Sequence, residues 1–342
     1  MQIDHLRQRL QSYGAKPAHE QALLRAWLEA LPLEGGKQRP EDFFPLGLRN
    51  ALPGIESELA AISRVRTYHT SGDESGRLLV ELADGQTVET VLLPRDAICV
   101  STQVGCAVGC VFCMTGREGL KRHLGSAEIV AQVVLARKLR TVRKVQFMGM
   151  GEPAHNLDNV LDAIELLGTL GGFAHKNLVF STVGDLRVFE RLPQAKVKPA
   201  LALSLHSTKS DLRAELLPRA PRIAPEELVE RGEQYARLTS YPIQYQWTLL
   251  EGINDGDDEV ERIAELLAGK YAVMNFIPWN TVDGTCFRRP SAERCMTMVR
   301  MLRQRGVLAT LRESAAQDVE GGCGQLRART IPRPDPTLTA MA

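Results

Sequence analysis

The sequence has no apolar run approaching a membrane span, and its opening Met-Gln-Ile-Asp-His-Leu-Arg is not a signal peptide. A spanning helix needs about 20 consecutive apolar residues, so the expectation is a cytoplasmic protein with no membrane partner. Net charge is almost absent as well: 42 Lys and Arg against 41 Asp and Glu leave +1 at pH 7. That total does not mark a nucleic-acid binder, so any basic surface must be local. The rest is ordinary for a globular protein, at 44% hydrophobic and 24% charged. A chain of 342 residues is long enough for one large α/β domain with a small appendage.

What the sequence does have is a concentration of thiols. Four of its seven cysteines, Cys99, Cys106, Cys110 and Cys113, lie within residues 99–113, the last three spaced C-x3-C-x2-C. Thiolates are soft ligands for iron–sulfur clusters and zinc. Structural zinc takes paired C-x2-4-C arms across a longer loop, and the second arm is missing. The run also differs from the common four-cysteine ferredoxin spacings. Three ligands on a four-iron cluster leave one iron open to a substrate or cofactor. A cluster closed by Cys99, or a zinc knuckle, is the alternative.

Residues 1–61 read as a small helical accessory region. Leu6, Leu10, Leu23, Leu24, Trp27 and Leu28 mark two amphipathic stretches, and a turn is expected at Pro53-Gly54. Over 62–93 the period shortens to a three-stranded antiparallel extension with turns at Ser71-Gly72-Asp73 and Asp84-Gly85. Glu89 in its last strand reads as a solvated residue. From 94 to 328 strands alternate with helices. Strands are expected at 97–101, 145–148, 178–181, 200–205, 243–249, 271–277 and 307–311. Helices are expected at 126–139, 157–170, 225–238, 257–267 and 291–305. The alternation predicts an α/β fold, a partial or open (βα)6-type parallel barrel. The Pro-containing tail, 329–342, is expected to be disordered.

The unusual residues fall after the strands. The cysteine loop follows the first, Gly149-Met150-Gly151-Glu152-Pro153 the second, and Ser181-Thr182-Val183-Gly184 the third. Ser204-Leu205-His206-Ser207 follows the fourth and Asn275–Asn280, Asn-Phe-Ile-Pro-Trp-Asn, the sixth. Parallel barrels place chemistry at the carboxyl ends of their strands, so these loops describe one pocket. An open iron suits S-adenosylmethionine, which chelates through its amino and carboxylate groups and yields a carbon radical on reduction. Glu152 would accept from its ammonium, while Ser181, Ser204, His206 and Asn280 would hold ribose or adenine. For His206 a structural role is an equal alternative.

The cysteine loop preceded by Cys99, the 149–153 run, Ser204-Leu205-His206, Pro278-Trp279-Asn280 and Gly322-Cys323-Gly324-Gln325-Leu326 together resemble the RlmN/Cfr family of radical-SAM RNA methyltransferases. The resemblance spans about residues 62 to 328. It implies a radical-SAM barrel with one [4Fe-4S] cluster on Cys106, Cys110 and Cys113. It implies S-adenosylmethionine, two per turnover, bound by Gly151, Glu152, Ser181, Ser204, Leu205, His206 and Asn280. Cys323 would carry the methyl group, Glu89 would accept a proton, and Cys99 would resolve the adduct through a transient disulfide with Cys323. The product would be adenosine methylated on a ring carbon, C2 favoured over C8, in ribosomal or transfer RNA. The resemblance further implies an external one-electron reductant and a monomer. Cys286 and Cys295 have no part in this scheme. A radical-SAM enzyme with a small-molecule substrate, or a non-catalytic RNA-binding redox switch, is the alternative.

RNA needs a basic surface, and residues 117–144 supply eight Lys and Arg against Glu118 and Glu128. Arg117–His123, just after the cluster, is expected to face the substrate, with a solvated helix face the alternative for Arg137–Lys144. Three departures from the family pattern bear on RNA contacts rather than on the reaction. Ala315-Ala316 replace an expected glycine region, Val183 replaces a serine, and the N-terminal region is short.

Overall fold

The computed structural model describes residues 1–33, 40–282 and 284–329. The expected tail beyond 329 lies outside them. The two amphipathic runs form α1 (Ile3–Ser12) and α2 (Pro17–Leu28), whose leucines at helical spacing are buried. The Ile3 amide bonds Ser126 Oγ at 2.9 Å, which ties this region to the main domain. After the short α3 (Pro40–Phe43) comes α4 (Leu46–Ala61), where the expected Pro53-Gly54 turn is instead the middle of one continuous helix. An interior proline costs about 3 kcal/mol. Against that, Leu48, Leu52, Ile55 and Leu59 are buried along one face, worth roughly 1.5–3 kcal/mol each. Packing wins.

β1 (Ser63–Thr70), β2 (Gly76–Leu82) and β3 (Thr87–Leu93) form the antiparallel hairpins. They continue the main sheet, because β3 pairs with β4 (Ala97–Cys99). β5 (Gln103–Gly105) and β6 (Leu120–His123) make a separate two-stranded piece, and the cysteine loop spans the gap between them. The alternation then runs α5 (Ser126–Arg137), β7 (Lys144–Phe147), α6 (Leu157–Thr169), β8 (Leu178–Thr182), α7 (Leu186–Arg191) and β9 (Ala200–Ser204). It continues with α8 (Ser210–Leu216), α9 (Pro225–Thr239), β10 (Ile243–Leu249), α10 (Asp257–Leu267), β11 (Ala272–Pro278), α11 (Ala292–Gln304) and β12 (Ala309–Leu311).

The ten-stranded sheet runs β1-β2-β3-β4-β7-β8-β9-β10-β11-β12, and every pair from β4 to β12 is parallel. It is open, with β1 and β12 at its edges. Its two faces differ. Phe147, Phe180 and Leu201 pair across neighbouring strands and pack in one core with Ile129, Val133 and Leu167 of the helices. On the other face the register aligns Arg77, Val91, Cys99 and Gln146 across β2, β3, β4 and β7. Farther along that face it aligns Ser204, Gln246, Asn275 and Thr310. Parallel strands covered on both sides are apolar throughout. A polar face therefore marks the side on which the chemistry sits.

Candidate active site

The cysteine loop is closed at its base by the Cys106 amide, which donates to the Gly119 carbonyl at 3.1 Å. Gly105 makes that closure possible. Its φ is +77°, and a Cβ there would lie 2.0 Å from the Gly119 oxygen. Farther round, the Val111 amide donates to Leu216 O and the Arg219 amide to Val108 O, so the end of α8 props the loop. Phe112 stands edge-on to His206 with centroids 4.9 Å apart.

Burial pushes the Cys106 thiol up to about 12 and the Cys110 and Cys113 thiols upward as well. Each of the three also feels the charge of at least one other thiol nearby, which raises it further. Holding three thiolates in such a place requires concentrated positive charge, which an iron–sulfur cluster supplies. Among the described residues no group of three or more His, Cys, Asp or Glu is spaced to hold a metal ion. A four-iron cluster puts each cysteine on a different iron, so its ligands need not converge on one point.

Cys99 belongs to a different neighbourhood. It is buried on β4, its thiol pushed up to about 12 first by burial and then by the charge of Cys323, with Arg312 pulling the other way. Cys323 is exposed and free, and its charge reaches both Cys99 and Cys113. The segment carrying it lies on the cysteine loop: the Met114 amide donates to Gly324 O at 2.8 Å, and Thr115 Oγ1 donates to Leu326 O at 2.7 Å. Two sulfurs 224 positions apart are thus brought within electrostatic reach of each other.

The remaining loops surround this centre. Gly151, at φ +105°, packs so closely that a Cβ would sit 2.6 Å from the Gln103 side chain. Glu152 is buried, and its two oxygens accept from the Ala154 and Val183 amides, each at 3.0 Å. Burial pushes its carboxyl up to about 7, while Thr182 and those amides hold it down. A carboxylate has room for about four donors, so a position remains for a ligand donor. Val183 contributes through its backbone, so the missing serine hydroxyl leaves this contact intact.

His206 occupies the left-handed region at φ +60°, a conformation found at strained functional positions. Its Nδ1 accepts from the Thr248 amide at 2.9 Å, which fixes the proton of the neutral ring on Nε2. Burial, then Arg213, holds its pKa down to about 3. Leu205 is buried, whereas Ser181 and Ser204 are half-buried on the polar face. Asn280 donates to Ser314 Oγ at 2.8 Å and to Cys323 O at 2.9 Å, and its buried Oδ1 has no partner among the described residues. That orphan acceptor fits a ligand donor, such as the amine of an adenine.

Glu89 is not solvated. It is fully buried, and its Oε1 accepts from Arg77 Nη1 at 2.6 Å. Its Oε2 accepts from the Arg327 amide at 2.8 Å. Burial pushes its carboxyl up to about 7 against the pull of Arg77. Sequence reading missed Arg77, Gln146, Gln246 and Arg213. The first three stand on the polar face of β2, β7 and β10. Arg213 lies on the buried stripe of α8, three and four residues from Leu216 and Leu217. Its guanidinium donates to the Val183 and Ser204 carbonyls, while Nε has no partner. Burial lowers its pKa to about 10, with Cys110 and Glu152 pulling upward.

The basic stretch 117–144 is not one surface. Arg137 donates to Leu28 O and Gly171 O and lies 4.4 Å from the Phe173 ring centroid. Arg140 donates to the Glu74, Leu93 and Ala97 carbonyls, and Arg122 pairs with Asp84 and Glu128. These cations serve the fold. Arg117 and Lys121, with Arg66, line a cavity of about 580 Å³ that also touches Gly105, Thr115 and Met150.

The chain is similar to known proteins over most of its length. Residues 100–267 match the Radical SAM superfamily. The chain is 70% identical over 331 residues to a "Probable RNA methyltransferase" of Aromatoleum aromaticum, covering 97% of this chain and 93% of that one. It is 64% identical to one of Pseudomonas aeruginosa, covering 96% of each. Among solved structures, a radical SAM methyltransferase from Sphaerobacter thermophilus superposes with a TM-score of 0.82 at 33% identity, covering 96% of this chain and 98% of that one.

Proposed function

The chain belongs to the radical SAM superfamily, and from that premise we propose that it is an RNA methyltransferase of the RlmN/Cfr kind acting on a ring carbon of adenosine, C2 before C8. The observation that carries this reading is the seating of the Cys323 segment on the cysteine loop, within electrostatic reach of Cys99. An electrophilic ring carbon resists a methyl cation donor but accepts a carbon radical, and a thiol that carries the carbon makes such a radical available.

Cys106, Cys110 and Cys113 would hold the [4Fe-4S] cluster, which when bound supplies the electron that splits S-adenosylmethionine into methionine and a carbon radical. Gly151, Glu152, Ser181, Ser204, Leu205, His206 and Asn280 bind and orient S-adenosylmethionine. Cys323 takes a methyl group from one molecule of it, leaving S-adenosylhomocysteine. The Cys323 thioether then gives a hydrogen atom to the radical from a second molecule, leaving 5′-deoxyadenosine, and its own carbon bonds to the ring. The one electron the adduct must then lose would return to the external one-electron carrier that supplied the cleaving electron, and the ring proton passes to Glu89. The Cys99 sulfur, losing its proton, attacks the Cys323 sulfur, and S–S forms as S–C breaks. The electron pair stays with the carbon, which takes a solvent proton and leaves as methyl. Reducing the disulfide before the next turnover requires an external reductant.

The test is reconstitution under strong reduction with RNA. The wild type should yield S-adenosylhomocysteine, 5′-deoxyadenosine and a methyladenosine. Cys323→Ala should yield no methyladenosine. Full methylation by Cys323→Ala would overturn the reading.

A further inference from the structure

The Cys323-bearing segment 322–329 has to do two things in turn. It must hold the thioether carbon against the RNA base until the C–C bond exists, and afterwards let the Cys323 sulfur reach the buried Cys99. Its anchors are visible. Asn280 holds Cys323 O, Thr115 holds Leu326 O, and Thr87 Oγ1 donates to Ala328 O at 3.2 Å. Glu89 Oε2 receives the Arg327 amide at 2.8 Å, and Arg77 Nη2 donates to Arg329 O at 3.1 Å. Upstream, Asp318 receives Ser71 Oγ and Asp73 receives the Ala316 amide, which fastens residues 316–318 to the β1–β2 turn.

All but one of these anchors join groups whose charge the reaction leaves alone. The exception is Glu89, which on the reading above takes a proton each turnover. Arg77 couples the two sides of that anchor: Nη1 sits on Glu89 Oε1 at 2.6 Å and Nη2 on the Arg329 carbonyl, with both side chains fully buried. The other charged groups facing the pair are Glu320, Arg327 and Arg329, and Glu320 bonds both arginines. Neutralising the carboxylate removes the charge to which both the Arg327 amide and Arg77 are drawn, and charge-assisted bonds are about twice as strong as neutral ones.

We propose that Arg77 is a positioning residue which, with Glu89, keeps segment 322–329 docked while the carboxylate is ionised and frees it when the carboxylate takes up a proton. Cys323 is flanked by Gly321, Gly322 and Gly324, which supply the swing. Proton transfer from the RNA base thus becomes the signal that lets the two sulfurs meet. The proposal rests on the assignment of Glu89 as proton acceptor, but its test does not need RNA.

Amide hydrogen–deuterium exchange on the reconstituted full chain, corrected for the intrinsic pH dependence, reads the latch directly. Between pH 8 and pH 6 the wild type should lose protection at the Arg327 amide by tenfold or more, while amides of β10 keep theirs. Glu89→Gln should show the low protection at both pH values, and Arg77→Lys should restore part of what Arg77→Met loses. Protection over 322–329 that is independent of pH in the wild type overturns the proposal, even if a variant fails to fold. A missing methyladenosine in the reconstitution assay would instead sink the methyltransferase reading and leave this result standing.

Discussion

At the scale of single residues, the site is assembled from groups held in states that water would not allow. His206 is kept neutral by burial and by the Thr248 amide on Nδ1. Its folded pKa, about 3, lies below the unfolded value of 6.5, so the unfolded chain takes the proton first as pH falls. The stability this histidine confers is therefore complete above pH 6.5 and is lost on acidification toward pH 3. Chemical denaturation of the wild type and His206→Gln at pH 7 and pH 5 should show the difference. The wild type should lose about 2 kcal/mol more than the variant over that interval. Equal losses would show that His206 does not titrate in this way. Glu89 shows the limit of reading residues from sequence. A glutamate in an alternating strand looks solvated, and only the register, which puts Arg77 and the 327 amide beside it, reveals a fully buried group. The alanines at 315–316 lie at the β1–β2 turn, and Ala316 adopts φ +55° with its amide on Asp73, a conformation better suited to glycine.

At the scale of elements, the cysteine loop depends on its closing strands more than on its own length. Gly105→Ala would drive a Cβ into the Gly119 carbonyl at a positive φ, so β5 and β6 must part at the base of the loop. The expected outcome is a chain that keeps its far-UV circular dichroism but binds markedly less iron on reconstitution. Normal iron content would contradict the role given to that closure. Much at this scale was legible beforehand. The seven parallel strands and α5, α6, α9, α10 and α11 follow from apolar runs and caps, because long periodic segments express their own preferences. By contrast α7 and α8, six and seven residues long, are not among the expected helices. The misses have physical causes. β5 and β6 are three and four residues long, too short for a period to register. The turn expected at Pro53 gave way to tertiary packing along α4. The polar face of the sheet depends on which residues stand opposite one another across strands, and that is not written in any one strand.

At the scale of the whole molecule, a chain with net charge +1 can meet RNA only through local cations. Those of the 117–144 stretch divide into ones spent on the fold, such as Arg137 and Arg140, and ones lining the cavity beside the cysteine loop, Arg117 and Lys121. Replacing Arg117 and Lys121 by alanine should weaken RNA binding and flatten its salt dependence, by about one unit in log–log slope per lost phosphate contact. Arg140→Ala should lower stability while leaving the slope unchanged, and binding titrations across salt would expose a reversed pattern. The central claim is that the methyl carbon passes through a thioether on Cys323 and is activated there by loss of a hydrogen atom. It is tested most directly with S-adenosylmethionine carrying a trideuterated methyl group, followed by mass spectrometry of the RNA nucleosides. The account predicts methyladenosine whose new methyl retains two deuterons and carries one solvent proton, with the third deuteron in 5′-deoxyadenosine. A methyl group delivered with all three deuterons would contradict it.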